Sequence, residues 1–191
     1  MTRASPVSVA VLASGGGTNL QALLDALHES SVARVARVIS NRPDAGALQR
    51  ARRARVPTSV LRDPGDAQEL LAALDDAQLV VLAGYLKLVP APVVARFRGR
   101  IINIHPALLP AFGGPGMYGH RVHEAVLASG AHESGATVHF VDEAFDRGEI
   151  IAQEKVRIEP GDTPESLAAR VLEAEHRLLP AVVLKLARNM Q

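Results

Sequence analysis

The sequence predicts an α/β fold: a Rossmann-like, mostly parallel sheet with helices on both faces, extended by a C-terminal antiparallel hairpin and a long final helix. Short apolar, β-branched runs alternate with amphipathic segments through roughly the first hundred residues, which is typical of parallel strands joined by helices. The run LVVLAG at residues 79–84 has no polar alternation, as in a strand buried on both faces. Beyond residue 130, two strand-like runs flank one short acidic loop, which is typical of a hairpin.

The first half of the chain supplies the parallel part of the predicted sheet. Apolar, β-branched runs predict strands at residues 7–14, 32–40, 58–61, 79–84 and 101–105. Apolar residues at three- and four-residue spacing predict the intervening helices at residues 19–27, 45–54, 66–74 and 91–97. Because parallel neighbours need a crossover connection, this alternation predicts a parallel sheet.

The last third of the chain closes the fold differently. A helix is predicted at residues 121–130, followed by strands at 136–141 and 150–158. The loop DEAFDRGE between these strands predicts an antiparallel hairpin at the edge of the sheet. A long final helix follows, with Thr163 as its cap and Pro164 in its first turn. Pro180 is expected to kink or divide this helix.

One domain is expected to contain all 191 residues. Hydrophobic residues make up 48% of the chain, which is enough for a sizeable core. No internal repeat, low-complexity segment or linker interrupts the pattern. With 3% aromatic residues and no Trp, the core must consist of Leu, Val, Ile and Ala.

Composition narrows the classes of function. The chain has 21 Lys and Arg against 20 Asp and Glu, a net charge of +1, which gives no support to a nucleic-acid or anionic-membrane surface. The absence of Cys excludes disulfides, thiolate nucleophiles and Cys-based zinc sites. No run of 18 apolar residues occurs and no signal-peptide pattern is present, so a cytoplasmic protein is expected.

A glycine-rich turn, SGGGTN at residues 14–19, joins the first strand to the first helix. Backbone N–H groups at such a turn can bind an anion, favoured by the helix dipole. NAD is disfavoured, because Leu20 stands where the dinucleotide motif needs Gly and Ser40 ends the second strand in place of an acidic residue. Two interpretations stay open: a phosphate site, or a tight turn with Thr18 or Asn19 as N-cap.

Two polar residues end an apolar strand. Asn103 and His105 are two positions apart, so they point to the same side of the strand. They lie at its carboxyl end, where open α/β sheets bind ligands. His is a candidate general acid or base, and Asn is a neutral donor to a developing oxyanion. No Ser or Cys stands close in sequence, which favours direct transfer over covalent catalysis.

Other polar clusters are open to interpretation. The acidic loop holds four carboxylates: Asp142, Glu143, Asp146 and Glu149. One of them could reach His105 and hold it protonated or oriented, and the sequence does not choose which. His120 and His123 with His105 suggest zinc only weakly, because the usual helical metal spacing is absent, so surface or loop-supporting roles are expected.

Five segments carry a family resemblance along nearly the whole chain: LASGGGTNLQALLDAL, VLAGYLKLV, GRIINIHPALLPAF, ESGATVHFVDEAFDRGEIIAQ and AEHRLLP. Together they resemble the glycinamide ribonucleotide formyltransferases, the folate-dependent enzymes of purine synthesis. The Asn-x-His-Pro-x-Leu-Leu-Pro stretch is typical of the wider folate-dependent formyltransferase group. The glycine-rich start and the final helix are typical of this branch.

The resemblance implies roles for individual positions. The catalytic residues of the family match Asn103, His105 and Asp146. The positions implied to bind the ribonucleotide substrate are Gly17, Thr18, Asn19, Pro106 and Glu175. The positions implied to bind folate are Arg62, Leu86, Lys87, Leu88, Val89, Asn103, Asp142, Glu143, Ala144 and Phe145. Compared with the family, the segment around Arg62 is short and the loop at residues 112–123 is long.

The implied activity is formyl transfer from 10-formyltetrahydrofolate to the amine of 5'-phosphoribosylglycinamide, in de novo purine (IMP) biosynthesis. Residues 1–100 are implied to hold the phosphate and residues 101–191 the folate and the catalytic groups. No metal, nucleic acid or membrane is implied, and a monomer or homodimer is expected. Asn103 and a protonated His105 would stabilise the oxyanion, and Asp146 is expected to raise the pKa of His105.

Rival functions are kept beside this one. A formyltetrahydrofolate hydrolase would use water as acceptor with similar catalytic residues, but its phosphate loop would lack a purpose. A methionyl-tRNA formyltransferase is expected to have a further domain and a basic surface for tRNA. A non-catalytic phosphosugar-binding module and a zinc hydrolase are the alternatives from other classes.

Overall fold

Strands and helices alternate along residues 5–191, the part of the chain that the computed structural model describes. The strands are β1 (Val7–Leu12), β2 (Ala33–Ser40), β3 (Thr58–Val60), β4 (Leu79–Leu82), β5 (Ile101–His105), β6 (Glu133–Phe140) and β7 (Ile150–Arg157). The helices are α1 (Thr18–Leu27), α2 (Gly46–Arg53), α3 (Ala67–Ala73), α4 (Ala91–Arg96), α5 (His120–Ala128) and α6 (Pro164–Arg188).

The strands form one sheet in the order β3-β2-β1-β4-β5-β6-β7. From β3 to β5 all neighbours are parallel, whereas β6 pairs antiparallel with both β5 and β7. The predicted fold class and the C-terminal hairpin are therefore confirmed. β6 begins three residues before its predicted start, because residues 133–135 pair with β7 although they lack apolar alternation.

Helices cover both faces of the sheet, and β1 is buried on each. Its odd-numbered residues, Val7, Val9 and Val11, pack with apolar residues of α1, α2 and α6. Its even-numbered residues, Ala10 and Leu12, pack on the other face with α3 and α4. Each fully buried Val or Leu contributes about 1.5–3 kcal/mol relative to an exposed one. The central strands are thus rigid, and their carboxyl ends are fixed points for functional side chains.

The final helix, α6, is one continuous helix of 25 residues. Thr163 caps it as predicted, accepting a hydrogen bond from the Ser166 N–H, and Pro164 occupies its first turn. Pro180 does not divide the helix, so that half of the expectation is wrong, and the kink stays a prediction. A proline removes one helical hydrogen bond at a cost of about 3 kcal/mol. Burial of neighbouring side chains such as Leu179 and Val183 against the sheet offsets that cost.

The turn between β1 and α1 depends on one glycine. Gly17 is the N-cap of α1, with φ +76° and no capping side chain, so neither Thr18 nor Asn19 is the cap that one of the two open interpretations named. A Cβ at Gly17 would lie 2.6 Å from the Cα of Ala47 in α2. The chain turns here in a left-handed conformation that only glycine adopts without strain. The close approach of α2 also leaves no room for a side chain at this position.

Within residues 5–191, none of the helices combines the length and the apolar character needed to cross a membrane.

A paired substitution tests the turn. Gly17→Ala is expected to lower the free energy of unfolding by at least ~1–2 kcal/mol, because it combines a left-handed conformation with a steric clash. Gly16→Ala is the control, since a Cβ there meets nothing within 4 Å. Urea unfolding followed by circular dichroism measures both. Equal losses in the two variants would contradict the role assigned to Gly17.

Candidate active site

A cleft of about 560 Å³ opens where the parallel strands end. Its walls come from the start of α1, the segment after β4, the end of β5 with the loop that follows, β6 with the loop between β6 and β7, the start of α5, and α6. A cleft of this size suits a small-molecule ligand. Asn103 and His105 both line it, as their shared side of the strand predicts.

His105 is held by two contacts at the floor of the cleft. Its side chain is 4% exposed. Its Nε2 lies 2.8 Å from the Phe112 carbonyl oxygen, which can only accept, so Nε2 carries the proton. The other ring nitrogen, Nδ1, lies 3.5 Å from Oδ2 of Asp146. Nδ1 is therefore the nitrogen of His105 that is able to take up a proton.

Asp146 connects the loop between β6 and β7 to the end of β5. Its Oδ2 accepts from the Gly114 N–H at 3.0 Å, and its Oδ1 accepts from Nδ2 of Asn103 at 3.3 Å. Asp146 and Phe112, the two residues that contact the His105 ring, both have left-handed backbone angles, with φ of 56° and 57°. Strained backbone at these two positions is typical of a functional site.

His139 is a site residue that the sequence analysis missed. It lies on β6 directly opposite Asn103 and is buried. Its Nδ1 donates to the Phe140 carbonyl oxygen at 2.7 Å, so Nε2 is the acceptor for Asn103 Nδ2 at 3.0 Å. This contact fixes which way the Asn103 amide faces. His139 stands in the predicted strand at residues 136–141, but only the pairing of β5 with β6 shows that it lies beside Asn103.

Burial and charge act in opposite directions on the two titratable groups. Burial lowers the pKa of His105, and the Asp146 carboxylate and the Phe112 carbonyl offset this only in part. Asp146 therefore raises the pKa of His105 as expected, but burial outweighs it and the net pKa lies below the ordinary value. Burial alone would raise the pKa of Asp146, but its contacts with His139, His105 and the Gly114 N–H hold that pKa below its ordinary value. The resting pair is a neutral imidazole beside a carboxylate.

A second polar pair lies at another wall of the cleft. Glu175 of α6 accepts from Nδ2 of Asn19 at 3.3 Å, and both residues line the cleft. Burial raises the pKa of Glu175 to about 7, although the Asn19 hydrogen bond lowers it. Asn19 Oδ1 is buried without a hydrogen-bond partner within residues 5–191. This wall therefore offers an unused acceptor and a carboxyl group that changes charge near neutral pH.

An apolar wall faces these polar groups. Leu86, Leu88 and Phe145 are exposed apolar side chains that line the cleft, together with Lys87 and Val89. Ser14 anchors this wall to the end of β1, because its Oγ accepts from the Leu86 N–H at 3.0 Å. The wall suits a flat, partly apolar ligand.

Most of the predicted site residues line the cleft, and some do not. Those that line it are Asn19, Leu86, Lys87, Leu88, Val89, Asn103, His105, Pro106, Asp142, Ala144, Phe145, Asp146 and Glu175. Gly17 and Thr18 lie in the turn before Asn19 and outside the lining. Glu143 is likewise outside the lining. Arg62 follows β3, its side chain is 92% exposed, and its Nε contacts Glu69 at 3.4 Å, so the structure does not bring it to the cleft.

The two other histidines occupy different surroundings on α5. His120 is exposed and lies 3.5 Å from Glu124 and 3.3 Å from Glu165. His123 is buried, lines the cleft, and has no hydrogen-bond partner for Nδ1 within the described part of the chain. Both residues line the cleft, His120 from an exposed position and His123 from a buried one.

Comparison with known proteins gives consistent matches. Residues 7–183 match the family described as formyl transferase. The chain is 47% identical over 185 residues to the chloroplastic phosphoribosylglycinamide formyltransferase of Arabidopsis thaliana, which covers 92% of this chain and 63% of that relative. It is 41% identical over 186 residues to phosphoribosylglycinamide formyltransferase of Haemophilus influenzae, covering 92% and 84%. This chain therefore spans less than two thirds of the length of the plant relative.

A solved structure agrees with these sequence matches. The crystal structure of phosphoribosylglycinamide formyltransferase from Anaplasma phagocytophilum superposes with a TM-score of 0.89 at 38% identity, covering 96% of this chain and 87% of that one. The similarity therefore extends over the whole sheet and the cleft at its edge.

The contact between Asp146 and His105 gives a pH-dependent prediction. Asp146→Asn is expected to lower the pKa of His105 further, because the carboxylate is the main group that raises it. NMR titration of the His105 ring measures this shift. Glu149→Gln, in the same loop, is the control and is expected to leave the pKa unchanged. An unchanged or raised pKa in Asp146→Asn would contradict the geometry described here.

Burial of Glu175 gives a prediction about stability. The folded-state pKa of about 7 lies above the ordinary value of 4.5, so the folded protein binds this proton more tightly than the unfolded chain does. Stability from this group is therefore full below pH 4.5 and is lost as pH rises to 7. Glu175→Gln should gain stability relative to the wild type across that window, by at most about 3 kcal/mol. Urea unfolding from pH 4.5 to 8 measures it, with Glu173→Gln as control, and a constant difference would count against it.

Proposed function

The chain belongs to the formyl transferase family, and we propose that it transfers the formyl group of 10-formyltetrahydrofolate to the amine of 5'-phosphoribosylglycinamide. The observation that carries this proposal is the cluster of Asn103, His105 and Asp146 on the floor of a cleft that has one apolar and one polar wall. The names of the matched relatives supply phosphoribosylglycinamide as the acceptor, and one further relative, of Gallus gallus, is named a trifunctional purine biosynthetic protein. The donor, 10-formyltetrahydrofolate, is the one that the family resemblance implies.

The two substrates take opposite walls of the cleft. The apolar side chains of Leu86, Leu88 and Phe145 receive the folate, and the loop at residues 142–146 contacts its pterin. The ribonucleotide lies along Asn19, Pro106 and Glu175, with its phosphate at the glycine-rich turn. Holding the amine and the formyl group side by side supplies a large part of the rate acceleration.

Asn103 stabilises the charge that develops when the amine attacks the formyl carbon. The carbonyl double bond opens to an oxyanion, and an N–H donor aimed at that oxygen strengthens as the charge grows. Both hydrogens of Asn103 Nδ2 are used in the free protein, by His139 at 3.0 Å and Asp146 at 3.3 Å. The longer contact, to Asp146, is the one that yields to the oxyanion, while His139 keeps the amide in place.

His105 moves the proton between the two substrates. The neutral ring takes the proton of the attacking amine at Nδ1 while Nε2–H stays on the Phe112 carbonyl oxygen. The Asp146 carboxylate, 3.5 Å from Nδ1, stabilises the imidazolium that results. The intermediate then collapses: the bond between the formyl carbon and the folate nitrogen breaks, and that nitrogen receives the proton. Atoms and charge balance without a metal.

The organisation of the chain follows from these roles. Residues 1–100 supply the glycine-rich turn, and residues 101–191 supply the catalytic groups. The two parts are interleaved at the cleft, since the folate wall at residues 86–89 belongs to the first and Glu175 to the second. All of these residues belong to one chain, so a monomer has every group that the reaction uses. A homodimer is equally compatible with it. We place the reaction in the cytoplasm, whereas the plant relatives are named as chloroplastic.

An absorbance assay of folate product tests the proposal. The purified protein is mixed with a 10-formyl folate, with and without the ribonucleotide. Product that appears only with the ribonucleotide supports the transferase. Product without it indicates the hydrolase, and no product from folded protein indicates a binding module.

Asn103→Ala is expected to lose turnover by a factor of 100 or more while it folds normally. Removal of one oxyanion donor typically costs ~3 kcal/mol of transition-state stabilisation. The same assay measures kcat, and thermal unfolding checks the fold. Asn189→Ala, at the exposed end of α6, is the matched control. Near-normal turnover in Asn103→Ala would remove Asn103 from the mechanism.

A further inference from the structure

We infer that Arg50 of α2 is a positioning residue for the phosphate-binding turn at residues 14–19. This inference deepens the proposed function and rests on it, since it specifies what holds the turn in a shape that binds the phosphate of the ribonucleotide. Arg50 stands in an arginine-rich stretch of the sequence, in which a solvated helix face is the expected role. Its guanidinium donates two hydrogen bonds to other parts of the chain, and we call this pair of contacts the Arg50 fork.

The fork joins three elements. Arg50 Nε donates to the Gly16 carbonyl oxygen at 2.8 Å, and Nη1 donates to Oε1 of Gln21 in α1 at 3.2 Å. The Ala47 N–H, one turn earlier in α2, donates to the Gly15 carbonyl oxygen at 3.1 Å. Two successive carbonyl groups of the turn are therefore bound to α2. The backbone of α2 holds that of Gly15, and the Arg50 side chain holds that of Gly16.

The positions of these carbonyl groups determine where the N–H groups of the turn point. In a trans peptide, the carbonyl of one residue and the N–H of the next point in opposite directions. Because α2 holds the carbonyls of Gly15 and Gly16, the N–H groups of Gly16 and Gly17 point away from α2. The Gly17 carbonyl accepts from the Gln21 N–H at 2.9 Å, so the Thr18 N–H points out of the amino end of α1.

These N–H groups are available for a ligand. Within residues 5–191, the N–H groups of Gly15, Gly16 and Gly17 form no hydrogen bond, and that of Thr18 is one of the first donors of a helix, which have no partner inside it. Successive N–H groups that face one way form an anion site. The positive charge of Arg50 lies behind the turn and adds to the attraction for phosphate.

Only arginine supplies both donors in one rigid plane. Lysine carries the same charge as a single point on a flexible stem, so it cannot hold Gly16 and Gln21 at once. The charge and the fork can therefore be separated by experiment. Arg50→Met removes both, and Arg50→Lys keeps the charge. Arg53→Met, on an exposed position of the same helix, removes one equal charge and is the matched control.

Steady-state kinetics give the first test. Arg50→Met is expected to raise the KM for the ribonucleotide at least tenfold, with kcat and the KM for the formyl folate within twofold of the wild type. Arg50→Lys is expected to recover less than half of that loss on a logarithmic scale, and Arg53→Met to match the wild type. A merely structural role would instead change both KM values and kcat together.

Titration with inorganic phosphate gives a second test that does not need the reaction. In NMR spectra of the ¹⁵N-labelled full chain, phosphate should shift the amide signals of Gly16, Gly17 and Thr18 in the wild type and in Arg53→Met. Arg50→Met should need at least tenfold more phosphate for the same shift.

The two tests separate failure of the inference from failure of the proposed function. If the wild type forms no ribonucleotide-dependent product but phosphate shifts these amides in an Arg50-dependent way, the function fails and the inference stands. If phosphate leaves the three amides of the wild type unmoved, the inference is overturned whatever the activity. It is overturned as well if Arg50→Met keeps the wild-type KM for the ribonucleotide, or if Arg50→Lys behaves as the wild type.

Discussion

The antiparallel pairing of β5 with β6 is the constraint on which the site depends. It sets Asn103 opposite His139 and His105 opposite Thr137. Phe140, the last residue of β6, pairs with Ile102 near the start of β5, so the loop after β6 begins beside β5, and its Asp146 contacts both Asn103 and His105. One change of strand direction therefore assembles residues that are 43 positions apart.

The segment after His105 is fixed by a hydrogen-bond network centred on the buried hydroxyl of Thr137. Thr137 Oγ1 donates to the Ala107 carbonyl oxygen at 2.6 Å and accepts from the Leu109 N–H at 3.1 Å. Gln153 of β7 donates to the Leu109 carbonyl oxygen at 2.8 Å and to Thr137 Oγ1 at 2.9 Å. A fully satisfied buried network is rigid. It carries the chain to Phe112, whose carbonyl oxygen holds the His105 ring.

Burial makes the histidine and the carboxylate depend on each other. A neutral His105 beside an ionised Asp146 avoids placing an isolated positive charge in a dry cleft. The charge then appears only when a proton is transferred, and the carboxylate is already in place to stabilise it.

The spacing of apolar residues along the sequence was enough to predict the order of strands and helices, the parallel core and the hairpin. It also identified Asn103 and His105, because strand periodicity and position relative to a strand end are properties of neighbouring residues. The family resemblance selected Asp146 among four acidic residues of one loop, a choice that the residues themselves left open.

Only the tertiary structure decided what depends on contacts between distant parts of the chain. Sequence could not foresee that His139 orients Asn103 or that Arg50 holds Gly16, since the first contact needs strand pairing and the second needs the packing of α2 on the turn. It could not foresee the unbroken α6, because burial against the sheet outweighs the local effect of Pro180. The net lowering of the His105 pKa was missed for the same reason. The sequence identifies a charged neighbour, but the burial that outweighs it depends on the whole fold.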